Sequence, residues 1–93
     1  MAKIAVSYTC RNGYVKYRSL ICNEEIARQW EELLAVGFDL VISEEIGQTA
    51  IVEMTLNRKT HSWHACSMAD MQPVALMLIA DAFNQYVYPE LLQ

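Results

Sequence analysis

Ninety-three residues are enough for one compact domain and short for two, so the chain is read as a single domain over 1–93. An apolar share of 54% with a positive mean hydropathy excludes a disordered chain and fits a dense core. Eleven acidic against seven basic residues, a formal charge of −4, argue against direct binding of DNA or RNA, which relies on Lys and Arg to neutralise phosphates. The longest apolar run, Val74 to Ala80, is too short to span a bilayer, and the N-terminus leads straight into an alternating segment with no secretory signal. A cytoplasmic location is therefore expected. Cys10, Cys22 and Cys66 are odd in number and widely spaced, the pattern of small hydrophobes rather than of a disulfide framework.

Lys3 to Cys22 reads as a β-hairpin turning at Asn12-Gly13, the dipeptide favoured by two-residue type I′ turns. Such a turn sets Cys10 against Val15, Tyr8 against Tyr17, Val6 against Ser19 and Ile4 against Ile21 on a mostly apolar face. Thr9 with Lys16 and Ser7 with Arg18 then form the polar one. Asn23 ends the strand and caps a helix over Glu24 to Val36, whose first-turn glutamates suit the helix dipole. Ile26, Ala27, Trp30, Leu33 and Leu34 recur at the spacing of one buried face, and Gly37 supplies the left-handed stop.

Phe38 to Ile42 is a strand, Glu44 to Gln48 a turn, and Thr49 to Asn57 an alternating strand with Ala50, Val52, Met54 and Leu56 facing in. Asn57-Arg58-Lys59-Thr60 reads as the next turn, although it lacks a glycine, and His61 to Cys66 as a short fifth strand carrying Trp63. The last helix runs from about Met71 to Tyr86, capped by Asp70 and with Pro73 in its first turn. Leu76, Ile79, Ala80 and Phe83 make its core face, and Val74, Met77, Asp81, Asn84 and Gln85 share the other side. Pro89 ends regular structure and leaves a short tail.

The order is β-β-α-β-β-β-α: an α+β domain with a five-stranded, mainly antiparallel sheet and two helices. Apolar residues on both sides of some strands (Ala5 with Leu20, Val41, Ile51) leave open whether the helices share one sheet face or cover both. The expected core is Ile4, Val6, Tyr8, Ile26, Trp30, Leu33, Leu40, Val52, Met54, Leu76, Ile79 and Phe83.

Asn23-Glu24-Glu25-Ile26, Trp30-Glu31, Leu34, Gly37-Phe38, Trp63-His64-Ala65 and Pro73-Val74-Ala75-Leu76 with Ala80 share a pattern. Together they resemble small phage and prophage proteins, in particular the phage ABA-sandwich type of domain, over about residues 23–86. The N-terminal hairpin departs from that pattern. The resemblance implies a small, non-enzymatic protein of a phage or mobile element, and it brings no catalytic residue.

No constellation of residues reads as a reaction centre. His61, His64 and Cys66 are metal-ligand types, but on a regular strand His61 points away from the other two, so no metal or other cofactor is expected. The histidines read as surface residues flanking Trp63, with Cys66 buried. A Cys-His nucleophile has nothing to orient its base, and no glycine is spare for a phosphate loop. Tyr14, Lys16, Tyr17 and Arg18 have the residue types that stack on single-stranded nucleic acid, but the net charge opposes binding.

A non-enzymatic protein acting by protein–protein contact is the expectation. As a phage-type inhibitor of a host defence complex, anti-CRISPR-like, its partner would be a host protein or ribonucleoprotein. Self-association as a phage accessory or structural protein, including a homodimer, and a small-ligand module around Trp63 are the alternatives. Two contact surfaces are expected. One is acidic, with Glu24, Glu31, Glu32, Glu44 and Glu45 offered to a basic groove. The other is an apolar strip of Val74 and Met77 near Met71.

Overall fold

The computed structural model describes residues 1–92. Five strands, β1 (Ala2–Thr9), β2 (Val15–Cys22), β3 (Phe38–Glu45), β4 (Thr49–Leu56) and β5 (Lys59–Ser67), form one sheet in the order β2-β1-β3-β4-β5. Every neighbouring pair is antiparallel except β1 with β3. Helix α1 (Glu24–Val36) links edge strand β2 to central strand β3, and α2 (Met71–Ala82) follows β5 after a 3-10 turn over Met68–Asp70. The fold is thus α+β with the expected run of elements.

Both helices lie on one side of the sheet. Ile4, Val6 and Tyr8 of β1, Leu20 and Cys22 of β2, Phe38, Leu40 and Ile42 of β3 and Ala50, Val52 and Met54 of β4 are all buried. Their alternation points them to a single face. Trp30 and Leu33 of α1 and Ala75, Leu78 and Ile79 of α2 close over it. Among the described residues, no layer of structure covers the opposite face of the sheet.

The caps of α1 are as the sequence implies. Asn23 Oδ1 accepts from the Ile26 N–H at 2.8 Å, and Gly37 adopts φ +111°. A side chain at Gly37 would also collide with Asn57, since a Cβ there would stand 2.5 Å from Asn57 Oδ1. Leu34, expected on the buried face, is exposed, and Ile26 is only half-buried at its margin.

The hairpin register differs from expectation by one residue. Gly13 N–H donates to Cys10 O at 2.9 Å and Cys10 N–H to Tyr14 O at 2.8 Å, and in this loop only Gly13 has positive φ. The connection is therefore a three-residue loop, a tight turn followed by a left-handed glycine, and Asn-Gly serves that geometry as well as a type I′ turn. Tyr8 pairs with Lys16, Val6 with Arg18 and Ile4 with Leu20. Because side chains alternate, the slip turns all of β2 over: Leu20 and Cys22 go in, while Val15, Tyr17 and Ile21 go out. The two-residue turn occurs instead at Asn57-Arg58, where φ is +52° and +71° and Leu56 pairs with Lys59.

The last helix is rotated and irregular. Met71, Ala75, Leu78, Ile79 and Ala82 are buried, so Leu78 takes the place expected for Leu76, which is half-buried. Almost every residue of this segment is apolar, so periodicity had little contrast with which to choose a face. Asp70 makes no side-chain cap; Ser67 Oγ instead accepts from the Asp70 N–H at 3.3 Å and caps the 3-10 turn. The α-helix ends at Ala82, a π-helical turn spans Phe83–Val87, and Pro89 lies in the first turn of the short α3 (Tyr88–Leu91) rather than ending regular structure.

Candidate functional site

The uncovered face of the sheet is the first candidate surface. Register places one row of side chains across it in the order Tyr17, Ser7, Val41, Glu53, Trp63. Two residues along the strands lies a second row: Val15, Thr9, Ser43, Ile51, Ala65. Tyr17 is 80% exposed, Val15 63% and Trp63 62%, and Ile21 is open on the same face. Ile51, Glu53, Thr60 and Trp63 line a shallow depression of about 350 Å³. Glu53, the charged member of the first row, accepts a hydrogen bond from the Thr60 hydroxyl. An antiparallel sheet with one solvated face ordinarily alternates apolar-in with polar-out. Here the outward positions mix two aromatic and several aliphatic side chains with polar ones, among them Lys3, Asp39, Glu45 and Glu53.

A polar cluster occupies the hairpin end of the helix-side face. Tyr8 is buried, and its hydroxyl donates to Glu44 Oε1 at 2.6 Å. The Arg18 guanidinium lies 5.0 Å from the centre of the Tyr8 ring and the Lys16 amine 5.7 Å, so the basic side chains of β2 cover the tyrosine where no helix does. Burial, and then the Glu44 carboxylate, push the Tyr8 phenol from 10.0 up to about 12. The Tyr8 hydrogen bond holds the Glu44 carboxyl below its ordinary range.

A third cluster sits where two irregularities meet. Met54 pairs with Ser62 but Thr55 with Thr60, so His61 is an extra residue in β5. The bulge turns its ring onto Phe38 and Tyr86, with centroids 5.5 and 4.6 Å away, and Tyr86 lies in the π-helical turn. His61 thus faces the helices, like His64 and Cys66, and is half-buried rather than a surface residue; Cys66 is only partly buried. Among the described residues, no three or more His, Cys, Asp or Glu side chains gather as a group able to hold a metal. Burial pushes the Cys66 and Cys22 thiols up, with Asp70 and Glu24 respectively adding to the shift.

The structure separates the expected acidic surface into two parts. Glu24, Glu31 and Glu32 are exposed on α1, and Glu24 Oε1 lies 3.6 Å from the N-terminal amine at the start of β1. Glu44 and Glu45 close β3, beside the far end of β1, and seven residue steps at ~3.3 Å set the two ends of the strand about 23 Å apart. Glu44 is committed to Tyr8, while Glu45 is exposed. Of the expected apolar strip, Met71 is 3% exposed and belongs to the core, Val74 is half-buried, and Met77 alone is open, at 43%.

Tyr17, Val15 and Ile21 were invisible as surface residues from the sequence because the two-residue turn placed them inside. The available signal was the alternative loop length, which pairs Leu20 with Ile4 and keeps Lys16 and Arg18 beside Tyr8. No protein-family model, no curated protein and no solved structure matches the chain. No helix of the described residues is long and apolar enough to cross a membrane.

Proposed function

We propose that this protein works by protein–protein contact and that the open sheet face is its principal contact surface. The observation that carries the reading is the outward row from Tyr17 to Trp63, whose two aromatic ends stand 80% and 62% exposed. Aromatic residues of this kind supply most of the energy of protein interfaces when a partner desolvates them. Within the proposal the chain is a small phage protein, the origin its sequence resemblance implies, and acts as an inhibitor of a host defence complex. The exposed carboxylates Glu24, Glu31 and Glu32 are then a second surface offered to basic partners.

The test is capture by tagged protein from host extract at low and high salt, with wild type beside Val41→Arg and a Glu31→Gln/Glu32→Gln pair. Contact through the sheet face predicts a captured component that persists in salt and is lost with Val41→Arg. Contact through α1 predicts loss in salt, since exposed charges are screened over ~10 Å at 0.1 M. Capture that neither variant changes would overturn both assignments.

A further inference from the structure

The open face has a property beyond being uncovered: its two rims match one another. β3 is the middle strand, with two strands on either side. Tyr17 on one edge strand and Trp63 on the other stand in the same row, equally far from β3, and smaller side chains lie between them. We propose that a second copy of this chain stacks face to face on the sheet, about a two-fold axis running along β3.

This operation exchanges left and right without changing height along the strands. It lays β2 over the partner's β5 and β1 over the partner's β4. Tyr17 then meets the partner's Trp63, and the contact is repeated by symmetry on the other side, as an isologous interface requires. Val41 lies on the axis against its own copy, Val15 meets the partner's Ala65, and Thr9 meets the partner's Ile51. The Ser7 hydroxyl comes opposite the partner's Glu53, where it can donate to the carboxylate. A two-fold axis running across the strands along this row would instead set Glu53 on Glu53, with each aromatic on its own copy. The like charges that the proposed axis doubles, Asp39 and Glu45, sit near the two ends of β3. They lie at the margins of the contact, away from the row that carries Tyr17 and Trp63.

The area suits such a dimer. Five strands ~4.8 Å apart and about eight residues long at ~3.3 Å each cover about 24 by 26 Å in projection. Corrugated by side chains, that approaches the ~800 Å² per partner of a stable interface. The result is a four-layer particle, helices outside and sheets inside, that presents both copies of α1 outward.

The inference rests on the open face being a contact surface, and the experiment separates the two claims. Sedimentation over a range of concentrations should return twice the 10.6 kDa chain mass for wild type. Val41→Arg and Tyr17→Glu should each raise the dimer dissociation constant at least tenfold at unchanged circular dichroism. Val41→Cys, with Cys10 and Cys66 replaced by serine, should oxidise to a covalent dimer because the axis brings the two Val41 positions together. A dimer that survives Tyr17→Glu, or one that Val41→Cys fails to link, overturns the stacked arrangement, even should Val41→Arg not fold. A monomeric wild type whose host component is lost with Val41→Arg overturns the second copy and leaves the contact surface standing. A monomer that captures nothing overturns both.

Discussion

Tyr8 shows how one residue reconciles burial with a polar group. Its ring lies in the core, and its hydroxyl reaches Glu44 at 2.6 Å. The pair couples stability to pH at both extremes. Tyr8 is raised from 10.0 to about 12 in the folded protein, so its contribution is complete below pH 10 and is lost as pH climbs through about 12. Glu44 is held below its ordinary range, so its contribution is present above the unfolded carboxylate value and is lost as pH falls through the folded one. Tyr8→Phe should lower the melting temperature near neutrality and flatten its dependence on pH at both the alkaline and the acid end. Melting curves from pH 3 to 12 on both proteins check this; parallel profiles would mean that the pair is not coupled to folding.

At the level of elements, β2 and α2 carry the decisive choices. The three-residue loop at Arg11-Asn12-Gly13 buries Leu20 and exposes Ile21, which reverses the order a two-residue turn dictates. Leu20→Ala should therefore cost ~2–5 kcal/mol, whereas Ile21→Ala should stay within ~0.5 kcal/mol in the isolated monomer. Urea denaturation of the two variants at low concentration decides the register, and equal losses would restore the other pairing. The same contrast holds on α2, where Leu78 is buried and Leu76 only half so. The β5 bulge and the π-helical turn belong together: each re-aims one ring, and His61 and Tyr86 meet 4.6 Å apart, tying the C-terminal segment to the far edge of the sheet.

For the molecule as a whole, the two tryptophans report its two sides. Trp30 is 3% exposed beneath α1, and Trp63 stands open on the bare sheet. Acrylamide should quench about one of the two in dilute protein, and Trp63→Phe should remove the accessible component. If a second copy covers the sheet, raising the concentration should protect Trp63 and shift its emission to shorter wavelength, with Trp30 unchanged. Two equally protected tryptophans at every concentration would contradict an open face. Charge is also divided: Glu24, Glu25, Glu31 and Glu32 are exposed on α1, while Lys16 and Arg18 lie over Tyr8.

Local chemistry was enough to determine the two caps of α1, the place of the hairpin turn and the run of elements. Asn23, Gly37 and the alternation of Thr49–Leu56 each act over a few residues, and each behaves in the structure as it reads in the sequence. Ten of the twelve expected core residues are buried for the same reason; Ile26 and Leu76 miss because a helix face is set by what packs on it. The bare face of the sheet was not legible. It depends on a one-residue choice of loop length at Gly13, on both helices settling on one side, and on the parallel pairing of β1 with β3. Those choices join residues far apart in the chain, and only their combined packing leaves Tyr17 and Trp63 on the same bare surface.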